Sequence, residues 1–186
     1  MVPQLKVQDT LIDLAPEQFY DYWIGMAYST CSLGGVVAGF LDPRSHGKSV
    51  LELHASFLIE NIPRIEDHEV NDLFVELLEH FNHVISLDNV AFERLSVELH
   101  LPRPSTTAEW RQFYKKFEKA LHQRDAQSYL EDPALRDLLP SLVESASAMR
   151  STKLRIVSRI LTLFPALSES KYIDPRDREM LNLGSD

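Results

Sequence analysis

With 186 residues, 44% of them apolar and 25% charged, the chain is long enough to bury a core without cross-links, and its single cysteine, Cys31, excludes an intrachain disulfide or a multi-cysteine zinc centre. A lone cysteine among apolar neighbours fits a reducing compartment, so a cytoplasmic location is expected. The formal net charge of -9 argues against strong non-specific binding to nucleic acid or to an anionic membrane.

The N-terminal MVPQLKVQDTLIDLAPEQ has no basic stretch followed by an apolar run and a small-residue cleavage site. Residues 1–15 are therefore read as an arm and not as a secretory leader. Asp13 to Pro16 leads into a helix over 17–41 that Gly34-Gly35 kinks or divides and Asp42-Pro43 ends. Within it, residues 23–41 (WIGMAYSTCSLGGVVAGFL) carry no charge over nineteen positions, and Gly35 and Gly39 have the spacing of a membrane-helix dimerisation face. The hydroxyls and glycines leave this run only moderately apolar, and no positive flank orients it. A central helix buried all round, within one subunit or between two, is the expectation, with no membrane span.

Residues 42–52, DPRSHGKSVLE, end their first part as a phosphate-binding loop does, in Gly47-Lys48-Ser49. Such a loop wraps phosphate with backbone N–H groups, yet Asp42 stands at the first glycine position and Pro43 removes a donor. A degenerate nucleotide site at 42–49 is thus the remote alternative. A helix stop, a His46-Gly47 turn and a Ser49 cap form the preferred reading.

A second helix follows over Ser49–Glu60, stopped by Asn61-Ile-Pro63, and a third over Asp67–Leu87. Asp88 is expected to cap a short fourth helix, Asn89–Leu99. The two prolines of Leu101-Pro-Arg-Pro104 break the chain between two helical halves. Thr106-Thr-Ala-Glu109 has the form of a capping box, opening a helix that reaches Arg124. Asp132-Pro133 starts another towards Met149 that must tolerate or bend at Pro140; Ser151–Phe164 is the last long helix, and residues 172–186 read as a polar, partly mobile tail. The sum is a single-domain, all-α bundle of six to eight helices around the uncharged segment.

Two clusters carry candidate chemistry. Glu76, Glu79, His80 and His83 share an arc of about 100° on the third helix, as carboxylate and histidine ligands to iron, manganese or zinc would. Glu52, His54 and Glu60 on the preceding helix would complete such a metalloprotein or oxidoreductase site only if that face turned towards Glu76 and His80. The opposite arc, Val70, Leu73, Phe74, Leu77, Leu78, Phe81, Val84 and Ile85, is the core face, so the ligand arc reads more simply as a solvated surface.

The second cluster lies beyond the proline break. Trp110, Phe113, Tyr114, Phe117 and Leu121 form an aromatic stripe, with Arg111, Lys115, Lys116, Lys119 and Arg124 around it. Aromatics in a contiguous stripe on an acidic chain favour packing over nucleic acid. Residues 42–100 hold twelve acidic against four basic side chains, whereas 101–124 hold six basic against two acidic. The reading is a non-enzymatic protein-interaction module, an adaptor, regulator or chaperone-like factor, with no cofactor. Trp110, Tyr114, Lys115, Lys119, Arg155 and Arg159 are its candidate partner contacts, a homodimer is among the assemblies considered, and part of the aromatic stripe or of the Leu154–Phe164 face forms the groove.

Overall fold

The computed structural model describes residues 4–7, 10–40, 48–60, 67–102, 104–122 and 131–183. The fold is an all-α helical bundle with one two-stranded hairpin at its N-terminal end. Strands β1 (Gln4–Val7) and β2 (Thr10–Asp13) pair antiparallel with Leu5 opposite Ile12, so the expected arm contains a hairpin.

Helix α1 (Pro16–Thr30) starts at a proline, whose missing N–H costs nothing in a first turn. Helix α2 (Leu33–Gly39) follows after a break at Cys31-Ser32, two residues before the glycine pair expected to make it. Ser32 is the cause: its hydroxyl accepts from the Gly35 N–H and starts a new helix. Gly35 has a different role, because a Cβ there would lie 2.0 Å from the Ser29 carbonyl oxygen. Its bare backbone is what lets the two helices meet so closely. Trp23, Ile24, Ala27, Cys31 and Val36 are all at most 1% exposed, so the uncharged segment is central to the core. No described helix is long and apolar enough to cross a membrane.

Helix α3 (Val50–Glu60) docks on α1, where the Trp23 indole donates to the Leu58 carbonyl at 3.0 Å. The expected stop at 61–63 and the Asp42-Pro43 stop lie outside the described residues. Helix α4 (His68–Glu98) is capped by Asp67, whose carboxylate accepts from the Val70 N–H. It runs unbroken for 31 residues, which corrects the expected division at Asp88. Asp88 is 2% exposed and sits inside the helix, in line with the buried Val84 and Ala91. A side chain facing the core at the helical repeat cannot also cap a new helix, because a cap would reset the phase.

Helix α5 (Thr107–His122) follows the proline break as expected, though residues 123–124 lie outside the description. The helix expected over 133–149 is divided into a short α6 (Pro133–Arg136) and the start of α7 (Leu139–Leu163), which runs on through the helix expected over 151–164. Pro140 sits in the first turn of α7, where no intrahelical donor is needed. Nothing at Ser151 stops the helix. A 3-10 turn (Pro165–Glu169) and α8 (Pro175–Arg178) close the chain.

The main core joins α1, α2, α3, α7 and the first half of α4, and a second, smaller core sets Ala91, Phe92 and Leu95 against Phe113, Leu135 and Leu138. Each large side chain fully buried there contributes about 1.5 to 3 kcal/mol.

The expected polar tail, 172–186, is described as far as residue 183, and there it packs against the bundle. Ile173 and Leu181 belong to the main core, and the Tyr172 ring packs so close to Gly25 that a Cβ there would meet it at 3.0 Å. The cause is Lys153, which stands on the core face of α7 at 2% exposure. Asp177, 3% exposed, brings a carboxylate oxygen to 3.8 Å from its ammonium, and the ammonium lies 3.7 Å from the centroid of the Tyr28 ring. Arg150 donates to the other oxygen of Asp177. Desolvation pushes the Lys153 pKa down, and the Asp177 charge opposes it. Burial, then the Asp177 charge, pushes the Tyr28 phenol well above its usual range. The C-terminal segment thus supplies the counter-charge to a buried cation. Removing one partner of such a pair costs about 3 to 5 kcal/mol, whereas replacing both is nearly neutral. Asp177→Ala is expected to lower the unfolding free energy in urea by that amount, and adding Lys153→Met to restore most of it; an unchanged midpoint in the single variant would contradict this account.

Candidate functional site

One open apolar surface lies where α4 ends and α5 returns beside it. Helix α4 stops with His100 in the left-handed region at φ 53, the Leu101 N–H bonded to the Ser96 carbonyl and the His100 N–H to that of Val97. Pro102 and Pro104 keep the following residues out of helix, and Glu109 then accepts from the Ser105 and Thr106 N–H groups while Thr106 accepts from the Glu109 N–H. The capping box read in the sequence therefore fixes where α5 begins and how it turns back.

Between the two helices lies a groove of about 590 Å³, walled by Phe92, Ser96, Val97, Leu101, Trp110 and Phe113. Its floor is apolar and packed: Phe92 and Phe113 have ring centroids 5.4 Å apart, and Trp110 stacks on Tyr114 at 5.4 Å with planes 25° apart. Its lip is Val97, 75% exposed. The Ser96 hydroxyl donates to the Phe92 carbonyl and is spent on its own helix. A smaller mouth of about 260 Å³ continues the groove towards Gln112 and Lys116.

The candidate contacts divide into two groups. Trp110 lines the groove and Tyr114 stacks on it, both half-buried, and Lys115 and Lys119 are exposed on α5. Arg155 and Arg159 are far from it and already engaged: Arg155 donates to both Glu76 oxygens at 2.9 Å, and Arg159 donates to Asp67 at 2.6 Å and approaches Glu69 at 3.7 Å. On the Leu154–Phe164 face, Val157 and Ile160 are fully buried in the bundle and Leu161 nearly so, while Leu154, 8% exposed, lines a cleft. That cleft, of about 560 Å³, runs along α7 past Ser151, Arg155 and Ser158 to Met180, but its arginines Arg150, Arg155 and Arg159 are those already paired to acids. The groove residues missed in the sequence are Phe92, Val97 and Leu101. Val90 and Val97, seven apart and both exposed on the outer side of α4, were the available signal.

The expected metal ligands are dispersed. Glu52 closes a reciprocal cap with Ser49, accepting from the Ser49 N–H while the Ser49 hydroxyl accepts from the Glu52 N–H at 3.1 Å. His54, half-buried, is two residues further along α3. Glu76 accepts from the Thr152 hydroxyl at 2.6 Å as well as from Arg155, with His80 at 3.9 Å, while Glu79 and His83 are exposed. No three such side chains are placed to share a metal ion among the described residues. Residues 42–47 of the candidate nucleotide loop lie outside the description; Lys48 is exposed and the Ser49 hydroxyl serves as a cap. Burial pushes the Cys31 thiol up to about 12, which keeps it protonated and inert.

No family model, curated protein or solved structure matches the chain. Its class is the one its own fold defines, an all-α helical bundle, and the feature that sets its surface apart is the α4–α5 groove.

The acid–arginine pairs carry a pH consequence. Hydrogen bonds from Arg159 and the Val70 N–H hold Asp67 below its ordinary range, those from Thr152 and Arg155 do the same for Glu76, and Arg176 holds Asp174 down at about 2. All three carboxyls bind protons more weakly in the folded than in the unfolded chain. Their contribution is therefore complete above the unfolded carboxylate range and is lost as pH falls towards the folded values. Urea midpoints are expected to fall below about pH 4, and the double variant Arg155→Gln/Arg159→Gln to fall less steeply there. An acid limb identical in the two proteins would remove these pairs as its cause.

Proposed function

We propose that the chain is a non-enzymatic protein-interaction module of the cytoplasm, an adaptor, regulator or chaperone-like factor, that holds a partner in the α4–α5 groove. The observation that carries the reading is the lip of that groove: Val97 is 75% exposed directly beside Phe92, Trp110 and Phe113. A valine left in water at the edge of an aromatic cleft marks an apolar surface awaiting a complement. The titratable groups that would otherwise suggest catalysis support this reading. Glu52 and Glu109 cap helices, Glu76 and Asp67 bind arginines, and Asp177 neutralises a buried lysine. The buried, protonated Cys31 is at home in a reducing compartment.

Site-specific photocrosslinking tests it. With benzoylphenylalanine at Val97, the full chain is expected to form a specific protein adduct in native lysate. The same probe at Arg176, 88% exposed on α8, is expected to form none. Val97→Gln is a surface change worth within about 0.5 kcal/mol of stability, so it should leave the melting curve in place while removing the partner from pull-downs by a tagged chain. Adducts that are equal at both positions, or capture unaffected by Val97→Gln and Trp110→Ala, would sink the reading.

A further inference from the structure

We infer that the groove takes an amphipathic helix of another protein whose edge facing α5 is acidic. This rests on the groove being the interaction surface and goes on to name the chemistry of its occupant.

The backbone decides the form of the occupant. Both walls are α-helices with their N–H and C=O groups spent within the helix, and the Ser96 hydroxyl is spent on Phe92. No sheet edge is offered to an extended strand, so binding must come from side chains packing into the cleft. Along α4 the groove runs from Asn89 to Val97, eight residue steps or about 12 Å. An i, i+4, i+7 ladder of apolar side chains on a guest helix spans about 10.5 Å, which matches that length.

Charge decides the edge. Lys116 lines the adjoining mouth together with Glu109, whose carboxylate is engaged by the Ser105 and Thr106 N–H groups, and Lys119 lies within about 60° of Lys116 on α5. Both are exposed, and neither forms an ion pair with a described residue, in contrast to the arginines of α7. The α4 wall presents the exposed Glu93 in place of a cation. A guest helix is therefore drawn with its acidic side over α5 and its neutral or basic side over α4, which fixes its rotation in the groove. Bases of a nucleic acid are poorly served: Trp110 is already stacked on Tyr114 and edge-to-face with Phe113, so its ring is used within the fold.

The test uses three fluorescein-labelled helical peptides with one shared Leu/Phe ladder and flanks of Glu, Gln or Lys, titrated with the full chain and read by fluorescence anisotropy. The Glu peptide is expected to bind about tenfold more tightly than the Lys peptide at low salt, as two exposed ion pairs allow, with the gap closing at high salt. Lys116→Glu/Lys119→Glu should invert the order, and Val97→Gln should weaken all three peptides together. Equal affinities that still depend on Val97 would overturn the acidic edge and leave the groove reading standing. Binding of none of the three, or binding indifferent to both Val97 and the two lysines, would overturn the helical guest, with the crosslinking result then deciding the groove alone. A single-stranded oligonucleotide that displaces the Glu peptide, and whose binding is lost in the lysine variant, would also overturn it.

Discussion

The rest of the molecule depends on one constraint, the unbroken phase of the apolar repeat along α4. Val70, Phe74, Leu77, Phe81, Val84, Asp88, Ala91 and Leu95 are spaced alternately by four and three residues, and all are buried. That spacing keeps one seam of a helix facing its neighbour over many turns. Helix α7 answers it with Leu142, Ala146, Met149, Lys153, Ile156 and Ile160 at the same alternation, also buried. Because α4 continues past the end of the main core, its last turns supply Ala91, Phe92 and Leu95 to the second one. A break at Asp88 would have separated the two cores; a continuous helix of about 46 Å holds them in one register.

Each seam carries one charged residue among apolar ones, Asp88 on α4 and Lys153 on α7. The lysine explains the end of the chain. An ammonium in the core needs a counter-charge, and the segment carrying Asp177 has to fold back to deliver it, taking Tyr172, Ile173 and Leu181 with it. The exposed pairs act differently. Arg155 with Glu76, Arg159 with Asp67 and Arg94 with Asp137 each contribute little free energy on a surface, yet all three join α4 to the later part of the chain. They favour one axial register of helices whose apolar seams alone would tolerate a slip. Asp67, Glu69 and Glu76 of the acidic half are thus met by the arginines of α7, whereas Lys115, Lys116 and Lys119 of α5 are exposed.

Signals confined to a few residues were legible in the sequence. The Ser49 and Thr106 caps and the Asp132-Pro133 start are present where the residue chemistry put them, because a hydroxyl three residues before a carboxylate acts through adjacent backbone groups. At Asp88 and in 172–183 the structure departs from the sequence pattern for one reason: a polar residue's meaning is set by a distant element. Asp88 looks like a cap only if the phase on both sides of it is ignored. The 172–183 segment looks polar because its acid is read as solvated, and nothing local reveals that Lys153 waits for it. Ser32 outranked Gly34-Gly35 as a helix divider because a cap offers a specific bond, whereas glycine only lowers the cost of leaving the helix. The groove is half legible: Trp110 is a candidate contact on its sequence pattern, but Phe92 and Val97 come from another helix, and only the fold puts the two walls side by side.

The groove also follows from the break that terminates α4. A tight two-residue connection would have laid α5 flat on α4 and buried Val97 beneath Trp110. The left-handed His100 and the proline pair instead hold Leu101 and Pro104 as a wedge between the helix ends, so the aromatic stripe of α5 closes on Phe92 and Leu95 but stands off from the last turn of α4. An apolar cleft produced this way is stiff, since both walls are helices and its floor is a ring cluster in fixed edge and stacked contacts. On the function proposed above, a stiff cleft would lose little conformational freedom when filled, so its affinity would depend on the fit of the guest's apolar side chains, and its selectivity on the charges beside the opening.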